Sequence, residues 1–300
     1  MQNLNYELKR LCLANREGSY GTQRERERTL TLIANQLDAL GFKKMYARSL
    51  RPKHVERLVE AWRNGHEELG LKPVSIGTLK NRLADLRWWA RKAHKPGVVA
   101  KDNEAYGIAD RKLVSQVSKA VPLNGEALER ITDPYIRVSL LLQREFGLRR
   151  EEAIKFIPPY ADRGDRIVLK ATWTKGGKER ELPVRTESQR HALMEAHRVA
   201  GLGSLIPPDR DYDAQRRVYE AQTRKAGLSK MHGLRHEYAQ RRYAELTGWE
   251  APVRGGPSSR DLTVEQKRID HEARLTISRE LGHERTAVTA IYCGSGRNTT

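Results

Sequence analysis

The stretch from Met231 to Tyr292 constrains the fold more than any other, because residues at its two ends suit service to one chemical group. It opens Met231-His232-Gly233-Leu234-Arg235-His236 and closes with Leu281-Gly282-His283-Glu284-Arg285-Thr286 through to Ile291-Tyr292. His232 and Arg235 are three residues apart and share one helix face, as two groups converging on a phosphate must. His283 stands nine residues ahead of Tyr292. Imidazole and guanidinium grip a phosphate and a phenol can attack it, so these four residues suggest phosphoryl transfer through a tyrosine. His232 and His236, four apart, could instead face one metal, yet no His-Glu-x-x-His pattern or obvious third ligand accompanies them. Phosphate binding ranks above a metal site, and His236 is expected to pack or to give a supporting hydrogen bond.

Charge points to the same kind of partner. The net charge is +18 and the isoelectric point about 10.0, a positive field that favours polyanions such as nucleic acid over neutral or cationic partners. Residues 1–112 hold 23 basic and 13 acidic side chains and the remainder 33 and 25, so the excess is not a tail. Cys12 and Cys293 are the only cysteines, too few for a disulfide scaffold. With no apolar signal core at Met1-Gln2-Asn3-Leu4-Asn5, a reduced intracellular setting is expected. No apolar run reaches the eighteen or more residues of a membrane helix.

Residues 1–112 read as helical. Helices are expected within Leu4 to Leu13, from about Arg24 to Leu40 with Gly41 as the stop, and from His54 to about Leu69 with Gly70 behind it. In a fourth, Leu79, Leu83, Leu86 and Ala90 form an apolar stripe beside a basic one of Lys80, Arg87 and Arg91. Such a helix either lies against phosphates or is an ordinary amphipathic helix with a solvated side. Pro96, Gly97 and Gly107 then mark a connecting region, with a linker at 113–121 and a new domain from 122 to 300, opening on a helix at Asn124-Gly125-Glu126.

In the second domain a buried helix through Ile136 and Leu140 ends at Phe146-Gly147, and Leu148-Arg149-Arg150-Glu151-Glu152 begins the next. Arg166-Ile167-Val168-Leu169 and Glu181-Leu182-Pro183-Val184 read as two short strands, with Gly176-Gly177 supplying a hairpin turn. Further helices are expected around Glu187 to Ala200 and Ala214 to Ala226. The Thr263-Val264-Glu265-Gln266 capping box opens another, running to Leu281.

The order of these boxes resembles the tyrosine recombinases, the phage and mobile-element integrase family, over residues 147 to 292. That resemblance implies a mainly α fold with a small β-sheet: a helical core-binding domain, then a mixed α+β catalytic domain. Arg149 and Arg235 match the phosphate-clamping arginines, Glu152 the supporting buried acid, and His283 a donor to the same phosphate. His232 is the candidate for taking the tyrosine proton and Tyr292 matches the nucleophile. Lys175 matches the hairpin lysine, with Lys178 as the alternative. The N-terminal domain would close over DNA, with Lys80, Arg87 and Arg91 against phosphates. The implied activity is site-specific cutting and rejoining of duplex DNA through a 3′-phosphotyrosyl bond, for integration or excision of a mobile element. No nucleotide cofactor or metal is needed for it. Implied partners are double-stranded DNA target sites, further copies of the chain as a tetramer on DNA, and an accessory bending or directionality factor, in a cytoplasmic, nucleoid-associated setting. A type IB topoisomerase would use the same chemistry without exchanging strands, a non-enzymatic DNA-binding protein would explain the charge but not the boxes, and RNA binding would rest on charge alone.

Two features depart from the family pattern. The spacing between Arg235 and Leu281 is long, which predicts an inserted loop ahead of the Thr263 helix, with DNA, a neighbouring subunit or nothing as its contact. Only eight residues follow Tyr292, which puts in doubt the C-terminal helix that many members lock into an adjacent subunit.

Overall fold

The computed structural model describes residues 3–110, 114, 117–283 and 286–294. Its contacts divide the chain into two compact units, Met1–Lys112 and Leu113–Thr300.

The first unit is built from α1 (Asn3–Ala14), α2 (Tyr20–Ala39), α3 (Pro52–Asn64) and α4 (Ile76–Lys92). Helix α2 begins four residues before the expected Arg24, because the Ser19 hydroxyl accepts from the Thr22 N–H and caps it there. Helix α3 ends well short of Leu69: the chain turns at Gly65, and Glu67–Leu69 is a separate 3-10 turn. Leu79, Leu83, Leu86 and Ala90 all face inward from α4, packing with Leu30, Ile33, Leu37, Leu58 and Trp62. The indoles are satisfied as they are buried, Trp62 Nε1 donating to Gln36 at 2.9 Å and Trp89 Nε1 to the Ala47 carbonyl at 2.9 Å.

In the second unit α5 (Gly125–Glu129) is capped by the Asn124 side chain. The central element is α6 (Pro134–Phe146), with Asp133 capping it and Pro134 in its first turn. Then follow α7 (Arg150–Ile154), the unanticipated single turn α8 (Pro158–Ala161), and an antiparallel hairpin of β1 (Arg166–Leu169) and β2 (Arg180–Pro183). Strand β2 lies one residue earlier than expected, pairing Leu169 with Arg180. The remainder is α9 (Glu187–Ala200), α10 (Tyr212–Lys225), α11 (Gly233–Thr247), α12 (Val264–Glu280) and α13 (Thr286–Cys293). Thr263 and Gln266 cap α12 reciprocally. Part of the expected linker, residues 113 and 115–116, lies outside the described residues. Its later portion packs on the second unit, where the Val121 N–H donates to the Gly233 carbonyl. No described helix is long and apolar enough to cross a membrane.

Candidate active site

Helix α6 must end abruptly for the site to form. Gly147 terminates it at φ +61°, and a Cβ there would sit 2.6 Å from the Tyr238 ring. Only glycine combines that conformation with so close an approach, and it sets Arg149, which caps α7, against α11. Glu152 accepts from the Arg149 backbone N–H at 2.7 Å and from its guanidinium at 2.7 Å.

Arg235 projects from the first turn of α11 and is only 1% exposed. It donates to the carbonyls of Gly147 and Leu281, and through Nε to the Tyr292 hydroxyl at 3.3 Å. Burial, and next the repulsion of Arg149, bring its pKa down to about 10, so it keeps its charge at neutral pH. A guanidinium has five N–H donors, which leaves capacity for a phosphate oxygen. The Arg149 Nη2 lies 3.4 Å from both the Leu281 carbonyl and His283 Nε2. The two arginines thus come together at one carbonyl.

These cations are balanced by one acid. Glu152 is fully buried and also accepts from Arg180 Nη2 at 2.9 Å. Burial pushes its carboxyl upward, but Arg180, Arg235 and Arg149 outweigh that and hold it below the usual carboxylate range. Without it the buried arginines would be uncompensated charges, each costing several kcal/mol.

Three imidazoles surround the tyrosine. The Tyr292 ring centroid lies 4.7 Å from His236, 6.1 Å from His232 and 6.3 Å from His283. Burial, reinforced by the arginines, lowers His232 and takes His283 down to about 4. His236 is also lowered to about 4, by burial and then by His232. All three are therefore neutral near pH 7, able to accept a proton or to donate an N–H. His232 also lines a 550 Å³ cavity with Arg150, Arg224 and Lys230. The His232 and His236 rings are 5.6 Å apart, and among the described residues no third His, Cys, Asp or Glu joins them in a metal-holding group.

The structure brings together Arg149, Glu152, His232, Arg235, His283 and Tyr292. Lys175 and Lys178 stand exposed at the hairpin turn, and the residue of that hairpin entering the cluster is Arg180. Sequence reading missed Arg180, although as the first inward position of a strand alternating buried and exposed it carried a signal once the register was known. It also missed Gln240, fully buried, whose amide donates to the Tyr292 carbonyl at 2.8 Å. In the first unit, Lys80 pairs with Asp110 at 2.8 Å. Arg87 donates to the Ala100 and Asp102 carbonyls and to Asn103. Of the three, Arg91 is the exposed one.

Comparison with known proteins adds two family matches. Residues 1–99 match the model described as phage integrase, N-terminal, and residues 113–241 the one described as integrase. No curated protein matches the chain. Among solved structures, a lambda integrase dimer bound to a COC′ core site is 14% identical with a TM-score of 0.61, covering 99% of this chain and 78% of that one. XerH recombinase in a post-cleavage complex with palindromic difH is 16% identical at 0.56, covering 96% and 80%. The Tn1549 transposon integrase with circular intermediate DNA is 14% identical at 0.54, covering 97% and 95%. At these identities the likeness is one of fold: mainly helical, with a small sheet in the catalytic portion.

Proposed function

Since the chain belongs to the tyrosine recombinases, the phage and mobile-element integrase family, we propose that it cuts and rejoins duplex DNA at specific sites with Tyr292 as nucleophile. The observation carrying this reading is the Tyr292 hydroxyl 3.3 Å from the buried Arg235 guanidinium, inside a ring of three neutral imidazoles. The phenol oxygen attacks the scissile phosphorus, a 3′-phosphotyrosyl bond forms, and the bond to the 5′ oxygen breaks. His232 takes the phenol proton, since a neutral imidazole is a competent base at neutral pH. Arg149, Arg235 and His283 hold the non-bridging oxygens while charge builds on them. Lys175, or Lys178 across the turn, delivers a proton to the departing 5′ oxygen. The tyrosyl linkage conserves the phosphodiester energy, so rejoining needs no nucleotide cofactor.

The solved lambda integrase structures include a dimer on a core site and a tetramer on a Holliday junction. We carry over duplex DNA as partner and assembly of several copies on it, with Lys80, Arg87 and Arg91 facing phosphates. Integration or excision of a mobile element, an accessory bending or directionality factor, and a cytoplasmic, nucleoid-associated setting belong to the same reading.

The test is a nicked duplex that loses a short fragment once cut, which traps the covalent adduct. The native chain is expected to form it in the presence of a chelator, and Tyr292→Phe to bind the duplex yet form none. Adduct at undiminished yield with Tyr292→Phe would overturn the assignment.

A further inference from the structure

The lengthened segment between α11 and α12 packs back onto the helix that carries the nucleophile. Its Pro252–Arg254 turn meets α13, with Ala251 and Val253 in the same apolar cluster as Tyr292 and Cys293. Gly294, just beyond α13, lies so close that a Cβ would meet the Val253 nitrogen at 3.0 Å. Arg254 donates through Nε to Gln240 Oε1 at 2.6 Å and through Nη2 to Glu237. Ser118 donates to the same Gln240 oxygen at 2.9 Å. With two donors on that oxygen, the amide NH2 must point the other way, to the Tyr292 carbonyl 2.8 Å away. That carbonyl lies in the last turn of α13, where a helix leaves its C=O groups without internal partners.

From this we propose that Arg254, acting through Gln240, is a positioning residue for the nucleophile: residues 248–262 form a latch that holds the tyrosine helix on its own catalytic unit. The inference rests on Tyr292 being the attacking group. Arg254 fixes which way the Gln240 amide faces, and Gln240 fixes the carbonyl of the reacting residue. The phenol is thereby held at the 3.3 Å distance from Arg235. Removing the guanidinium leaves Ser118, whose hydroxyl can accept from a flipped amide as readily as donate to the present one. The amide is then free to rotate and the end of α13 to lift, which displaces the hydroxyl without touching the phosphate-binding groups.

Single-turnover cleavage of the nicked duplex by the full chain tests this. Arg254→Ala and Gln240→Met are each expected to slow adduct formation by between about tenfold and a hundredfold, the usual consequence of misplacing a reacting atom by about 1 Å. The Kd for the same duplex should move by less than about twofold, the signature of a group acting only after binding. Arg254→Lys, keeping one cationic donor for Gln240, should recover part of the rate, and it carries the test if the alanine variant does not fold. Because Arg254 reaches the Tyr292 carbonyl only through Gln240, the double variant should be no slower than the slower single. Wild-type rate in Arg254→Ala, multiplied losses in the double variant, or loss expressed as weaker DNA binding would each overturn the latch. Tyr292→Phe run alongside separates the failures. Adduct in that variant removes the nucleophile assignment, whereas none there together with wild-type rate in Arg254→Ala removes the latch alone.

Discussion

In the helical unit the buried polar side chains among the described residues are Gln36 and His54. Each is met by an uncharged hydrogen-bond donor: Gln36 accepts from Trp62, and His54 Nδ1 accepts from the Arg51 N–H at 3.2 Å. The second unit instead buries Glu145, Glu152, Arg180, Arg235, Arg274 and Glu280. A stable fold needs only the first kind of interior, because burying paired charges is at best neutral against well-packed apolar groups. Glu152, Arg180 and Arg235 therefore fit the proposed phosphate site at the end of α6 better than a role in stability, whereas Glu145, Arg274 and Glu280 pair elsewhere, with Arg144, Asp270 and Arg185.

The largest effect that can break this contrast comes from deleting the acid. Glu152→Ala leaves Arg149, Arg180 and Arg235 without their shared carboxylate. It should cost about 3–5 kcal/mol, read by hydrogen exchange on the intact chain as lost protection in residues 117–294 while residues 3–110 are unchanged. Trp89→Ala, which opens an apolar cavity, should cost about 3–5 kcal/mol with the opposite distribution. Equal losses across both units in either variant would dissolve the contrast.

A smaller effect comes from pH. His236 and His283 have folded values of about 4 against an ordinary 6.5, and His232 is also lowered. Groups lowered in the folded state stabilise it fully above their unfolded value, and that contribution is lost as pH falls through the folded one. Protection of the second unit should therefore decline from pH 6.5 toward 4. In the first unit His54 is lowered too, mainly by burial, but it stands outside any such cluster, so the decline there should be shallower. Parallel declines would mean the cluster histidines are not kept neutral by their surroundings.

The smallest effect concerns the surface of the helical unit. Arg91→Ala should weaken duplex binding evenly across sequences and reduce the salt slope by roughly 1, as for a single phosphate contact. Arg87→Ala should in addition loosen residues 100–103, because Arg87 also holds the Ala100 and Asp102 carbonyls. An unchanged salt slope in Arg91→Ala would return that helix to an ordinary amphipathic one.

What could be read in the sequence was what short spacings encode. Arg149 and Glu152 are three apart, and Glu152 accepts from both the Arg149 backbone N–H and its guanidinium; Thr263 and Gln266, also three apart, cap α12 reciprocally. The Gly176-Gly177 turn located the hairpin to within one residue. What could not be read depends on register or on distant packing. Arg180 meets Glu152 only because β2 starts one residue early, and Gln240 is defined by Tyr292, 52 residues away. The early end of α3 was written in Asn64-Gly65, yet the apolar pattern running on to Leu69 hid it.

The most direct measurement of the central claim is to trap the adduct, digest it, and identify by mass spectrometry which tyrosine carries the nucleotide. The expected peptide contains Tyr292, from the end of α13. Nucleotide on Tyr238 or Tyr243, both buried in α11, would contradict the account and require a different geometry of attack.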